Sequence, residues 1–133
     1  MTRFAAVGAG RMGRGIAIAF AYAGHRIALI DLKQRSAADW QRLRSEARTE
    51  IAQSLSALVQ LGVFALPQAG RIAARVEYVD AAGAAQALAN AELVFEGVPE
   101  TIEAKREALA RLCACSPAQA IIASTTSSMR VTE

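Results

Sequence analysis

Three glycines near the start of the chain have the spacing of a phosphate-binding turn. Gly8, Gly10 and Gly13 fit the pattern G-x-G-x-x-G between a short apolar run and an alanine-rich helical stretch. In such a unit the first glycine permits a tight turn, the second lets a pyrophosphate approach the backbone, and the third lets helix and strand pack closely. The amide N–H groups of Arg11, Met12 and Gly13 would then point at phosphate oxygens.

Two arginines beside these glycines also indicate an anionic ligand. Arg11 and Arg14 lie where a helix dipole already leaves partial positive charge, so each is unfavourable by about 0.3–1 kcal/mol without a ligand. A bound pyrophosphate reverses that sign. The alternative is that each guanidinium points into water, and the backbone contact depends on neither side chain. A P-loop is excluded because no G-K-[ST] follows the glycines.

One aspartate indicates which dinucleotide binds. Asp31 ends the second apolar run, at the distance from Gly13 where a carboxylate accepts hydrogen bonds from an adenosine ribose. The 2′-phosphate of NADP would meet the charge of Asp31, so NAD is the favoured cofactor, although Lys33 and Arg35 stand close by. The alternative is an aspartate that only caps a turn or a helix.

The apolar pattern places these residues on alternating strands and helices, since period-two and period-3.6 segments follow one another along the chain. This alternation implies parallel strands with right-handed crossovers. We therefore predict one α/β domain over residues 1–133, a Rossmann-type, doubly wound, mainly parallel sheet with helices on both faces. The predicted strands are 4–7, 26–30, 76–79, 92–97 and 120–123. The predicted helices are 12–22, a long helix after Asp31, a short turn or helix at 71–74, a helix at 81–89, and one from Pro99. The long helix is predicted from an apolar stripe of Trp40, Leu43, Ala47, Ile51, Leu55 and Leu58.

Polar residues follow two further strands. Ligands of open α/β sheets bind outside the carboxyl ends of the strands, near the switch in strand order. The fourth predicted strand leads into Glu96, Gly97, Val98 and Glu100, and the fifth leads into a row of hydroxyl residues at 124–128. Alternatively, that row only caps the next helix.

Composition and charge exclude several classes of protein. The net charge is +3, and six of the fifteen basic residues fall in the first 35 positions, which suits an anionic ligand. No basic run is interleaved with aromatic residues, so no nucleic-acid partner is expected. The uncharged stretch 15–24 is too short for the ~20 residues of a membrane span, and no signal peptide is apparent. Cys113 and Cys115 are expected to be reduced thiols of a cytoplasmic protein, with no metal site.

With these segments placed, the whole chain resembles the NAD-binding half of the 3-hydroxyacyl-CoA dehydrogenase family. The resemblance rests on VGAGRMGRGIA at the start, Asp31-Leu32, LVFEGVPETIEAKREAL from Leu93, and IIASTTSSM from Ile121. It implies that Gly8 to Gly13 hold the pyrophosphate of NAD and that Asp31 holds the adenosine ribose.

The resemblance also assigns residues to the other half of the cofactor. It implies that Glu100 and Lys105, with Gly97 at the strand end, contact the nicotinamide half, and that Ser127 is a catalytic hydroxyl between nicotinamide and substrate. Considered without the family, Glu100 and Lys105 are only a weak ion-pair candidate, because a spacing of five does not bring side chains together on a helix.

The full enzyme implied by the resemblance is an oxidoreductase of fatty acid metabolism. It would use NAD to oxidise a 3-hydroxyacyl-CoA, such as 3-hydroxybutyryl-CoA, to the 3-oxoacyl-CoA, and it would be a homodimer. The family's catalytic histidine and helical C-terminal domain are expected outside this chain, so the fragment alone is predicted to be inactive. The single histidine, His25, is expected at the surface, at the opposite end of the sheet from the glycine turn.

Two alternatives remain open. Thr125 stands where the family usually has asparagine, and the sequence Val98-Pro99-Glu100 is similar to relatives that act on free hydroxy acids, such as gulonate and carnitine dehydrogenases. The substrate is then a free hydroxy acid. The other alternative is a non-catalytic NAD-binding module.

Overall fold

Strands and helices alternate along the chain, as the sequence pattern predicts. The computed structural model describes residues 3–130 and 132. In order, this part of the chain contains β1 (Phe4–Val7), α1 (Arg11–Tyr22), β2 (Ile27–Ile30), α2 (Ala37–Gln60), α3 (Leu66–Ala73), β3 (Val76–Val79), α4 (Ala84–Leu88), β4 (Leu93–Glu96), α5 (Ile102–Cys115) and β5 (Ile121–Ser124).

The strands form one parallel sheet in the order β3-β2-β1-β4-β5. The chain moves outward from β1 through β2 to β3 and then returns across the sheet to β4. The strand order therefore switches between β1 and β4, and the carboxyl ends of these two strands flank a crevice. The predicted Rossmann-type, doubly wound α/β fold is confirmed.

Each face of the sheet is covered by its own hydrophobic cluster, because successive strand residues point to opposite faces. On β1, Ala6 belongs to the cluster that α1, α2 and α3 cover, whereas Ala5 and Val7 belong to the cluster covered by α4 and α5. The predicted stripe on α2 is confirmed by its buried centre, from Ala47 to Leu55. No helix in the described part of the chain has both the length and the hydropathy needed to cross a membrane.

Three predicted helix starts differ from the structure, and one of them is that of α4, which was predicted from residue 81 and begins at Ala84. The last helix begins at Ile102 and not near Pro99, because Thr101 caps it by accepting a hydrogen bond from the amide of Ala104 at 3.2 Å. The short helix predicted at 71–74 is α3, which already begins at Leu66. Pro67 lies in the first turn of α3, where the N–H group that proline lacks has no helical acceptor.

The packing of α1 on the sheet depends on Gly13. A Cβ atom at this position would lie 1.9 Å from the carbonyl oxygen of Gly8 and 3.2 Å from a methyl group of Leu29. The contact is backbone to backbone, so no rotamer change can relieve it. Gly15, two residues further along α1, has no atom within 4 Å of such a Cβ.

We expect Gly13→Ala to lower the free energy of unfolding by at least about 1–3 kcal/mol, because α1 must shift away from the sheet to admit the methyl group. Gly15→Ala is the matched control, and it is expected to stabilise the protein by roughly 0.5–1 kcal/mol because alanine loses less conformational entropy in a helix. Urea denaturation followed by circular dichroism measures both. Equal stability of the two variants would contradict the proposed contact.

Candidate functional site

The turn between β1 and α1 presents unpaired amides to an open space. Gly10 is the N-cap of α1, and no side chain caps this helix. The first helical hydrogen bond runs from the amide of Arg14 to the carbonyl of Gly10 at 3.0 Å, so the amides of Arg11, Met12 and Gly13 have no helical acceptor. A Cβ on Gly10 would meet nothing within 4 Å. The turn therefore leaves room for an anion to approach three backbone donors.

The other side of the crevice is built by Gly97, at the end of β4. Gly8 has φ +102°, and a Cβ there would lie 2.6 Å from the carbonyl oxygen of Gly97. The amide of Gly97 donates to the carbonyl of Val7 at 2.8 Å. The ends of β1 and β4 thus touch through their main chains, which places Gly97 beside the glycine turn.

The two arginines of the turn have different environments. Arg11 is exposed, as is Met12. Arg14 donates from Nε to the carbonyl of Ala9 at 2.9 Å and pairs with Glu50 on α2. The alternative in which the Arg14 guanidinium points into water is therefore wrong, because only 13% of this side chain is exposed. It fastens the turn to α2, and its charge is compensated within the protein.

Asp31 lies at the carboxyl end of β2, as the sequence predicts. Its side chain is almost fully buried, and its Oδ2 lies 2.6 Å from Nε of Arg35. The next residue, Ser36, caps α2 by accepting from the amide of Asp39 at 3.1 Å. Sequence reasoning noted Arg35 as a nearby charge but missed this ion pair. A carboxylate has about four lone-pair sites, so the pair with Arg35 leaves Asp31 with acceptor capacity for a ligand hydroxyl.

A carboxylate that sequence reasoning did not assign to the site lies at its centre. Glu96, the last residue of β4, is fully buried. It accepts hydrogen bonds from the amide of Val98 and from Nζ of Lys105, both at 2.9 Å, and from Oγ of Ser124 at 2.5 Å. These donors come from the turn after β4, from α5 and from β5. The signal in the sequence was one acidic residue closing an otherwise apolar strand.

Lys105 joins Glu96 to Glu100. Its Nζ lies 2.8 Å from Oε1 of Glu100 and donates to the carbonyl of Val98 at 3.2 Å. The expectation of a weak pair at an unhelpful spacing is wrong, because Glu100 precedes the start of α5 and the turn brings it back to Lys105. Burial alone would lower the pKa of Lys105, but the hydrogen bonds to Glu100 and Glu96 outweigh it and raise that pKa.

Glu100 also holds the loop after β5. Its Oε2 accepts from Oγ1 of Thr126 at 2.9 Å and from the hydroxyl of Ser128. Together with Lys105, whose hydrogen bond has the largest effect, these donors lower the pKa of Glu100 to about 2. Ser127, the predicted catalytic serine, lies between the two anchored hydroxyl residues and is exposed. The row of hydroxyl residues is thus fixed beside Glu100.

The histidine and the two cysteines lie outside this site. His25 is exposed just before β2 begins, at the opposite end of the sheet, and its ring packs 5.0 Å from that of Phe4. Cys113 and Cys115 are free thiols near the end of α5. Among residues 3–130 and 132, no three His, Cys, Asp or Glu side chains are grouped to hold a metal ion.

The architecture and this crevice agree with a known family. The family model described as 3-hydroxyacyl-CoA dehydrogenase, NAD binding domain, matches residues 3–133. This chain belongs to the 3-hydroxyacyl-CoA dehydrogenase family. The family resemblance inferred from the sequence and the expectation of NAD as the family's cofactor are thereby confirmed.

Individual members of the 3-hydroxyacyl-CoA dehydrogenase family differ in their named substrates. L-carnitine dehydrogenase from Streptomyces griseus is 34% identical over 131 residues, which are 98% of this chain and 35% of that protein. 3-Hydroxybutyryl-CoA dehydrogenase from Bradyrhizobium diazoefficiens is 35% identical over 129 residues, 95% of this chain and 40% of that protein. The chain therefore spans less than half the length of either relative.

A solved structure supports the same assignment. That of 3-hydroxybutyryl-CoA dehydrogenase from Escherichia coli K12 has a TM-score of 0.82 and 31% identity, and the match covers 98% of this chain and 26% of that chain. The resemblance extends over the glycine turn, Asp31 and the Glu100–Lys105 segment, since nearly the whole chain is covered.

The depressed pKa of Glu100 predicts a pH-dependent contribution to stability. A carboxyl group with a folded-state pKa of about 2, against an ordinary 4.5, stabilises the folded protein fully above pH 4.5 and loses that contribution as the pH falls towards 2. We expect the stability difference between wild type and Glu100→Gln to be constant from pH 6 to 7 and to shrink below about pH 4.5. Urea titrations across this range measure it, and a difference independent of pH would contradict the ion pair.

Proposed function

We propose that this chain is the NAD-binding domain of a dehydrogenase that oxidises 3-hydroxyacyl-CoA substrates. The observation that carries the proposal is the group of three unpaired amides at Arg11, Met12 and Gly13, beside a glycine whose missing side chain leaves the approach open. A pyrophosphate supplies the acceptor oxygens that these donors lack, and the positive end of α1 favours its charge.

The strand order sets the direction in which NAD would lie. Asp31 ends β2 and Glu96 ends β4, on opposite sides of β1. A carboxylate at the end of the second strand suits the adenosine ribose, so the pyrophosphate would be held at Gly10 and the nicotinamide half at Gly97 and Glu100. We assign Lys105 to this half as the group that fixes Glu100.

The proposed chemistry divides between the cofactor and the protein. When bound, NAD supplies the acceptor for the hydride that leaves the hydroxyl-bearing carbon. The exposed hydroxyl of Ser127 would hydrogen-bond the reacting oxygen beside the ring. His25 lies too far from the crevice to accept the hydroxyl proton. We therefore propose that residues 1–133 bind the cofactor without turnover and that another part of the protein supplies the base and the substrate domain.

Two substrate classes have specific support. Acyl-CoA is favoured by the family and by the 3-hydroxybutyryl-CoA dehydrogenases among its relatives. A free hydroxy acid is favoured by two relatives named for L-carnitine dehydrogenation, at 34% and 31% identity, and by Thr125, which stands beside Gly97 at the rim of the crevice. A homodimer and a cytoplasmic location complete the proposal; the first rests on the family resemblance and the second on the two cysteines expected to be reduced.

We expect Gly10→Val to fold normally and to lose NAD binding, with the dissociation constant rising at least tenfold. The side chain enters open space and needs no unusual backbone angle, since φ at Gly10 is −88°. It nevertheless occupies the approach to the three amides. Isothermal titration with NAD and a thermal melt measure the two effects. Gly15→Ala, on the same helix, serves as the control and is expected to bind NAD like wild type.

Unchanged NAD affinity in a folded Gly10→Val protein would overturn the proposed site. The proposed site would also be overturned if NAD bound to wild type at a position, or with a stoichiometry, that this substitution does not affect. Perturbation of amide resonances away from residues 10–13 would show such binding.

The substrate class can be decided on the full-length protein. If the acyl-CoA proposal is correct, kcat/KM for 3-hydroxybutyryl-CoA with NAD exceeds that for L-carnitine by at least about 100-fold, because CoA contributes binding energy that a free acid lacks. NADH absorbance at 340 nm measures both reactions. The reverse order would assign the protein to the free hydroxy acid class.

A further inference from the structure

The three linked side chains Glu96, Lys105 and Glu100, named here the carboxylate cluster, contain more negative than positive charge. We propose that this excess charge makes the site favour the oxidised cofactor, NAD⁺, over NADH. The inference rests on the proposed function, because it requires the nicotinamide ring to lie over the end of β4. It concerns selection between redox states, which the binding of the pyrophosphate does not determine.

One ammonium group is shared by two carboxylates. Nζ of Lys105 lies 2.9 Å from Glu96 and 2.8 Å from Glu100. The Lys105 side chain is 7% exposed and that of Glu96 is 0% exposed, so these two form a buried pair of opposite charges. The cluster therefore carries a net charge of about −1, as one cation between two anions requires.

The excess charge lies on the side of the crevice. Glu100 is the exposed member, with 43% of its side chain accessible. It is held in place by Thr126 and Ser128, the residues that flank Ser127. Glu100 cannot move away from the rim without breaking these contacts. The carboxylate of Glu100 is thus held on the loop that carries Ser127, where the proposed function puts the nicotinamide half.

Other cations near the cluster are more exposed to water than Lys105 is. Arg106 and Arg130 line the small cavity between α5 and the loop after β5, next to Lys105, but both are exposed. Arg14 is compensated by Glu50. Glu100 is the charge that the contacts with Thr126 and Ser128 hold at the rim.

Only the ring distinguishes the two redox states electrostatically. The nicotinamide ring carries a positive charge in NAD⁺ and none in NADH, while the pyrophosphate and both riboses are the same. A fixed negative charge beside the ring stabilises the cation and has little effect on the neutral form. Removing that charge without changing the shape of the side chain should therefore weaken NAD⁺ binding selectively.

The test compares wild type with Glu100→Gln, which keeps the length of the side chain and an acceptor oxygen. The ratio of the dissociation constants, NAD⁺ over NADH, is expected to rise about threefold to tenfold, as for the loss of one nearby charge in a partly hydrated site. Titration calorimetry gives both constants, and NADH fluorescence checks the second. The affinity for ADP-ribose, which lacks the ring, is expected to stay the same.

Glu103→Gln is the matched control. Glu103 lies exposed in the first turn of the same helix, and the substitution removes one negative charge outside the cluster. For Glu103→Gln, the ratio of the dissociation constants, NAD⁺ over NADH, is expected to equal that of wild type. An equal rise in Glu103→Gln and Glu100→Gln would overturn the proposal, since a diffuse field rather than the cluster would then set the preference.

The outcomes separate this inference from the proposed function. If Glu100→Gln binds NAD⁺, NADH and ADP-ribose with an unchanged ratio, the cofactor site stands and the charge preference is overturned. If wild type binds none of the three, both proposals fall. A parallel loss of affinity for all three ligands with a lower melting temperature would show that Glu100 acts only on the fold, which also overturns the charge preference.

Discussion

The rest of the structure depends on one constraint, the direct contact of main chains at the crevice. The segments in contact are the first turn of α1, the end of β1 and the end of β4. Gly13 touches the carbonyl of Gly8, and Gly8 touches the carbonyl of Gly97. No side chain fits between these segments. Because the backbones are this close, the unpaired amides of α1 open directly onto the crevice at the switch in strand order, where a ligand can reach them.

The same closeness explains why a buried carboxylate stands behind the crevice. Beyond the apolar core, polar side chains have to hold the ends of β4 and β5 together. The turn after β4 also has backbone polar groups that require hydrogen-bond partners. Glu96 meets both needs, since it accepts from Val98, Lys105 and Ser124. A buried charge is costly without such partners, and with them it fixes α5 and β5 in one position. This network therefore also positions the loop that carries Ser127, because that loop follows Ser124.

The sequence predicted what depends on periodicity and on local turn chemistry. The parallel sheet and the close packing at Gly8 and Gly13 follow from the motif and from alternating apolar segments, whereas the strand order and its switch point come from the structure. The start of α5 and the extent of α3 were wrong, because Thr101 and the first turn at Pro67 set helix ends that apolar spacing does not reveal. The contacts of Arg14 and Glu96 were missed, because each joins residues whose proximity only the folded chain establishes. The pair of Arg35 with Asp31 joins neighbours along the chain, and it was missed because the turn that lets the two side chains meet has no apolar periodicity.

The charges along the crevice are arranged in the order that a dinucleotide requires. Carboxylates stand at both ends, Asp31 at β2 and Glu100 beyond β4, where riboses or a cationic ring would lie. Between them, the amides at the start of α1 supply positive partial charge at the position of the phosphates. An anion such as sulfate would satisfy only the middle of this pattern, and a nucleoside monophosphate only one half. The separation of the two carboxylates by an amide-lined turn is therefore the arrangement that suits the proposed ligand, which has hydroxyl or cationic ends and an anionic centre.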